Sequence, residues 1–250
     1  MIYGLYLSAN GMITQNMTAD TIANNLANSS TQGFKRDLLT LRQRDPEVLR
    51  RGGAATFETQ RNLLAIGGAV EGDRSFSIFS QGSLQPTGNR TDIALSGDGF
   101  FKYLDPNGRA YYSRAGALTL DAQGFLTGPN GFKLASVAGS PLQVEGRDFY
   151  FDDAGRLMVD GAETGQVSMV SVDRSDRLHK VGENLFEAQG EVAETTSEAQ
   201  FRSGFLEASS VNAVREMAAL IEAQRAYEAN SRFIRIQDET LGKAVSEIAV

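Results

Sequence analysis

The chain has 250 residues, 41% of them hydrophobic, enough to bury a core and too many for a disordered segment. Its formal net charge of -7 argues against non-specific nucleic-acid binding, which depends on an excess of lysine and arginine. No run approaches the roughly 20 apolar residues of a membrane-spanning helix. Cysteine is absent, which removes disulfides, thiol nucleophiles and thiolate metal sites together.

From Met1 to Gly33 the only charged side chain is Asp20. The start, Met1-Ile2-Tyr3-Gly4-Leu5-Tyr6, has neither a basic segment nor a continuous apolar one, so no cleavable signal peptide is read there. Ile2, Leu5, Ala9, Met12, Asn16, Ala19, Ala23 and Leu26 recur at steps of three and four, the spacing of a helix lying along another helix. The outer face of this helix carries amides and hydroxyls instead of charges, and Asn24, Asn25 and Asn28 lower its helix propensity. The expectation is a segment poorly ordered in the free subunit that folds when neighbours enclose it.

Phe34–Gly53 is locally basic, with Lys35, Arg36, Arg42, Arg44, Arg50 and Arg51 against Asp37, Asp45 and Glu47. It reads as a solvated linker, with contact to a polyanion as the alternative. Beyond it, short runs suggest strands at Asp92–Leu95, Phe100–Leu104, Ala110–Ser113, Leu118–Leu120, Phe149–Phe151, Leu157–Val159 and Gln166–Val172. Three stretches repeat an Asp three residues before a Gly: Asp105–Gly108, Asp121–Gly124 and Asp152–Gly155. Aspartate can bond amides two residues on and glycine accepts positive φ, so each reads as a hairpin tip. None supplies the ligand set of a calcium loop. Gly97-Asp98-Gly99-Phe100 lacks the third glycine of a dinucleotide loop.

From Val211 to Val250 glycine occurs only at 242 and proline not at all. Met217, Leu220, Gln224, Tyr227, Ser231, Ile234, Asp238, Leu241, Val245 and Ile248 form a second stripe, with Glu228/Arg232, Arg235/Glu239 and Lys243/Glu247 at i,i+4 on the outside. At 1.5 Å per residue this helix would reach on the order of 55 Å, too long to cover with a small β domain. The N-terminal helix is the natural partner.

Nothing assembles into catalytic machinery. The single histidine, His179, sits among charges in Asp176-Arg177-Leu178-His179-Lys180, and no serine stands in a Gly-x-Ser-x-Gly elbow. Asp152 and Asp153 are adjacent, and in a strand they would face opposite ways. On the residues alone, two readings stay open beside a structural polymer. One is an adhesin-like β domain on a coiled-coil stalk; the other is a carboxylate-based glycan hydrolase.

Ile22-Ala23-Asn24-Asn25-Leu26-Ala27-Asn28-Ser29-Ser30-Thr31-Gln32-Gly33-Phe34-Lys35 is similar to the N-terminal signature of hook and hook-associated proteins and of bacterial flagellar basal-body rod proteins of the FlgF or FlgG type. Asp92–Phe101 and Tyr112-Ser113-Arg114-Ala115-Gly116 are similar to the central part of the rod proteins. Gly204–Asn212, leading to Met217 and Ala223–Glu228, is similar to the family's C-terminal motif.

The resemblance implies a structural rod subunit of the basal body, in the rod that crosses the periplasm. It implies type III export without a cleaved signal, and a helical polymer that transmits torque from motor to hook. The expected fold class is α+β. Long terminal helices pair as a coiled-coil-like α domain, and a central β domain is mainly antiparallel. The expected division is 1–33 (N-terminal helix), 34–91 (extended connection), 92–204 (β domain) and 205–250 (C-terminal helix). The expected assembly interface is Leu5, Met12, Asn25, Leu26, Leu220, Gln224, Tyr227, Ile234 and Leu241. Expected partners are copies of itself and other axial proteins, including other rod proteins and the hook protein, with the rings around the rod as a further candidate. No catalytic residue, cofactor, metal, nucleic acid or direct membrane insertion is expected.

Overall fold

A computed structural model describes residues 2–43, 69–146, 148–190 and 192–248. The linker reading of the basic stretch therefore lies outside the described residues from Arg44 onward. The architecture is α+β, with one helix at each end, α1 (Ile2–Ala27) and α2 (Ala213–Ile248), and antiparallel sheets between them. The chain divides into two compact units. A helical unit comprises Met1–Leu26, Asp37–Phe76 and Ala213–Val250, and a β unit comprises Ala27–Arg36 and Ser77–Asn212.

The β unit is organised around a nine-stranded sheet. Its central strand, Phe100–Leu104, pairs with Ala110–Ser113 on one side, and on the other with Lys133–Leu134 and Met169–Val172. Side chains alternate across a strand, so adjacent large residues feed opposite faces. Phe101, Tyr111 and Leu185 enter one apolar cluster; their neighbours Phe100, Tyr112 and Phe186 enter a second one. Paired apolar residues in one short strand thus mark a sheet buried on both sides. Phe79 seals the second cluster edge-on to Phe100 and Phe186, with ring centroids 5.1 and 5.0 Å away.

The three Asp-x-x-Gly stretches are hairpin tips. In each, one aspartate oxygen accepts two backbone amides: Asn107 and Arg109 at Asp105, Gln123 and Phe125 at Asp121, Ala154 and Arg156 at Asp152. The glycine closes each turn at φ between +75° and +83°, a left-handed conformation that costs other residues energy. A fourth tip, Asp160-Gly161, joins Arg156–Val159 to Ala162–Gln166 with both residues at positive φ. Its Asp-Gly pair flanked by β formers is a hairpin signal that the sequence reading passed over. The strand expected at Gln166–Val172 is two strands, broken at Val167 and Ser168, whose amides bond Gly155 and Ala135.

Burial raises the Asp152 carboxyl, but the amides of Arg156 and Ala154 and the Arg156 guanidinium outweigh it and hold the group below the ordinary range. A depressed carboxyl stabilises the fold above its unfolded value, about 3.9, and loses that contribution as pH falls through the folded value. An Asp152→Asn variant is therefore expected to be less stable by about 1 kcal/mol at pH 7. Urea titrations at successive pH values should show the gap narrowing below about pH 4. A gap that does not change with pH would refute the assignment.

The chain adds two strands, Arg36–Gln43 and Val70–Ile78, which pair as a separate two-stranded sheet. Within the helical unit, the buried Thr14 hydroxyl of α1 donates to Val70 O at 2.9 Å.

Candidate assembly site

In the helical unit, α1 and α2 touch along an antiparallel line. A Cβ added to Gly4 would lie 2.8 Å from Gln237 Nε2, and one on Gly11 3.0 Å from Asn230 Oδ1. Farther on, Asn25 Nδ2 lies 3.5 Å from Glu216 Oε2. Each seven-residue step along α1 is answered by seven residues back along α2. The line passes one position before half of the expected stripe. It uses Gly4, Gly11 and Asn25 beside Leu5, Met12 and Leu26, and Glu216, Ala223, Asn230 and Gln237 beside Met217, Gln224, Ser231 and Asp238. Apolar periodicity weights side-chain size, whereas helices approach most closely where there is almost none. Gln237 and Asn230 fill the space that the two glycines leave open.

Asn25 is only 1% exposed, and its amide closes a two-way clasp with the start of the first strand. Nδ2 donates to Asp37 O at 2.8 Å, and Oδ1 accepts from Asp37 N at 2.9 Å. Leu5, Met12, Leu26, Leu220, Ile234 and Leu241 are half-buried, while Gln224 and Tyr227 are exposed. Met12, Tyr227 and Ile234 come together in one open groove of about 410 Å³, lined also by Ala9, Ile13, Asn16 and Met17. Gln224 and Tyr227 line a second groove, about 340 Å³, with Gln15, Asn16, Ala19, Ala223 and Glu228.

Apolar side chains that find no cover are concentrated in this unit. Leu7, Ile13 and Met17 on α1, Val214, Met217, Ile221, Phe233, Ile236 and Val245 on α2, and Leu38, Leu41, Val70 and Phe76 on the small sheet are all exposed. Among the described residues of the β unit, only Leu120, Val137, Tyr150 and Val181 join them, far apart in sequence. Scattered exposed apolar residues need no explanation; here one helix pair carries them on several sides. Val214, Met217 and Ile221 fall at i, i+3 and i+7, a second period in α2 that the sequence reading passed over.

The β unit holds a second cluster, which corrects the solvated-linker reading at Lys35: that side chain is fully buried beside Glu207. Lys35, Glu207 and Arg114 are 0%, 1% and 2% exposed. Lys35 Nζ lies 2.6 Å from Glu207 Oε1 and donates to Ser80 O at 2.7 Å. The Gly82 amide donates to the same carboxylate oxygen at 2.8 Å. Arg114 Nη1 reaches Glu207 Oε2 at 3.3 Å, and Nη2 donates to Gly97 O at 2.7 Å. Burial lowers both cations against the opposing pull of Glu207. Two glycines let the backbones close this tightly. Gly33 sits at φ +67° with its missing Cβ 2.6 Å from Ala115 N, and a Cβ on Gly116 would stand 1.8 Å from Ile93 O.

Comparison with known proteins matches three separate segments of the chain. Residues 5–35 match the family model "Flagella basal body rod protein". Residues 94–169 match "Flagellar hook protein FlgE/F/G D1 domain", and residues 202–247 match "Flagellar basal body rod FlgEFG protein C-terminal". The chain is 33% identical over 261 residues to the flagellar basal-body rod protein FlgG of Borreliella burgdorferi, covering 98% of each. It is 30% identical over 267 residues to FlgG of Bacillus subtilis, covering 98% of this chain and 99% of the relative. The chain belongs to the flagellar basal-body rod protein family.

The likeness extends to FlgF of Caulobacter vibrioides, 29% identical over 249 residues, covering 98% of this chain and 97% of the relative. As a rod protein the chain is a structural component of the flagellar basal body, and the family is not one of enzymes. Among the described residues no helix is long and apolar enough to cross a membrane. Each of the three matched segments contributes one member of the buried ion cluster: Lys35, Arg114 and Glu207. The three family-matched segments therefore meet in space, in a place closed to solvent.

Proposed function

We propose that this rod subunit polymerises through its terminal helices, which pair as an antiparallel coiled coil and pack against the helices of neighbouring copies to build a stiff, torque-transmitting shaft. The observation that carries the reading is the concentration of uncovered apolar side chains on the helical unit. Leu5, Met12, Leu26, Leu220, Gln224, Tyr227, Ile234 and Leu241 form the assembly surface, and the grooves around Met12 and Tyr227 accept side chains of the next subunit. Asn25 acts from inside, holding α1 in register with α2 and the first strand; a buried amide in a helix seam specifies register at some cost in stability. The functional division is 1–33 and 205–250 for the inner α domain, 92–204 for an outer β domain and 34–91 for the connection.

Copies of this chain, other rod proteins and the hook protein are the partners, with the rings around the rod outside them. The subunit reaches its place by type III export. Sedimentation velocity over a range of concentrations tests the reading. Purified subunits should stay monomeric alone and enter long polymers when seeded with basal-body fragments. A discrete dimer or trimer that ignores the seed would favour the stalked binding module instead.

A further inference from the structure

Inside the β unit, the segment that enters from α1 and the segment that leaves toward α2 lie side by side. The chain enters at Ala27, leaves after Arg36, re-enters at Ser77 and leaves at Asn212. Gly33 N donates to Glu207 O at 2.8 Å, Ser210 N to Phe34 O at 3.0 Å and Arg36 N to Ser210 Oγ at 3.0 Å. Partner numbers rise together, so the two segments run parallel. The Lys35–Glu207 pair crosses between them at 2.6 Å, with Ser80 O and the Gly82 amide tying in a third piece of chain.

We infer that this parallel zip with its buried ion pair is a mechanical clamp, the place where tension from the two terminal helices enters the β unit and is resisted. The direction of loading carries the argument. Tension from α1 pulls residues 27–36 toward the N-terminus, and tension from α2 pulls residues 205–212 toward the C-terminus. Along parallel segments these pulls are opposed, so the crossing bonds are sheared together and cannot open one at a time. An ion pair at 2.6 Å between side chains 0% and 1% exposed is shielded from water, which would otherwise replace its bonds as they stretch. Arg114 anchors the far oxygen of Glu207 to the main sheet through Ser113, whose strand pairs with Phe100–Leu104. The clamp works within one subunit, so its test needs no polymer and its failure would leave the assembly reading standing.

The chain contains no cysteine, so handles can be placed at will. Single-molecule pulling on the full chain compares two directions, one through cysteines appended to both termini and one through Asn107→Cys and Ala154→Cys at two exposed hairpin tips. The test variant is Lys35→Met/Glu207→Gln, which keeps the net charge of the buried cluster at one positive. Its rupture force is expected to fall to half or less when pulled by the termini and to stay within a tenth of the parent's when pulled by the tips. An unchanged force at the termini would overturn the clamp. Equal loss in both directions, including loss because the variant does not fold, would also overturn it, by making the cluster an ordinary part of core stability.

Discussion

Replacing Glu207 with alanine is expected to destabilise the β unit by about 3–5 kcal/mol, the range for breaking a buried ion pair from one side. The size follows from what is left behind. Lys35 loses its 2.6 Å partner, Arg114 loses its 3.3 Å partner, and the Gly82 amide loses its acceptor, all in surroundings almost closed to water. Two stranded cations then face each other with only the exposed Asp98 carboxylate as a nearby counter-charge. Removing one of them should recover part of the loss, so Lys35→Met/Glu207→Ala is expected to be more stable than Glu207→Ala alone. Urea denaturation followed by far-ultraviolet circular dichroism measures both. A loss below about 1 kcal/mol would mean that the cluster is no more than an exposed ion pair in its energetics. The single Glu207→Ala change tests stability; the charge-conserving pair of substitutions used for pulling tests direction.

Ile221→Asp is expected to abolish incorporation into the rod while leaving the free subunit's melting temperature within a few degrees of the parent. Ile221 is 51% exposed and stands at helical spacing from Met217 and Val214. On the free chain an exposed substitution of this kind changes stability by about 0.5 kcal/mol or less. Enclosed by a neighbour, the same carboxylate would be desolvated without a partner, which costs several kcal/mol at every repeat of the polymer. Seeded polymerisation followed by light scattering, together with motility of cells carrying only the variant, gives the readout. Val181→Asp, at an equally exposed apolar position of the β unit, is the control and should assemble normally. If Ile221→Asp subunits polymerise at the parent's rate, this face of α2 is not buried in the rod.

The local elements were largely legible in the sequence because each rests on near-neighbour chemistry. Asp105, Asp121 and Asp152 announce hairpins because one carboxylate reaches two amides within four residues. Phe100–Leu104 and Ala110–Ser113 announce strands because both faces of the strand need apolar side chains. The helices were legible from their period and from the return of charge along α2. The line of closest approach between the helices was less legible, because an apolar stripe weights side-chain size. Gly4 and Gly11 set the line of closest approach through the lack of a side chain, and a hydrophobic stripe gives such residues no weight.

Long-range placement is a different matter. Nothing in the order of residues says that Lys35, Arg114 and Glu207 converge, since each is separated from the next by more than seventy positions. Their convergence depends on strand pairing on both sides, on Gly33 meeting Ala115 and on Gly116 meeting Ile93. By itself the sequence determined the element types, the turn chemistry and the family to which the chain is similar, because these are set by composition, spacing and local hydrogen bonding. Only the tertiary structure decided which helix faces touch, which apolar residues remain uncovered and which charges are sealed from water. Burial is a property of all the chain that surrounds a residue, and no window along the sequence contains it.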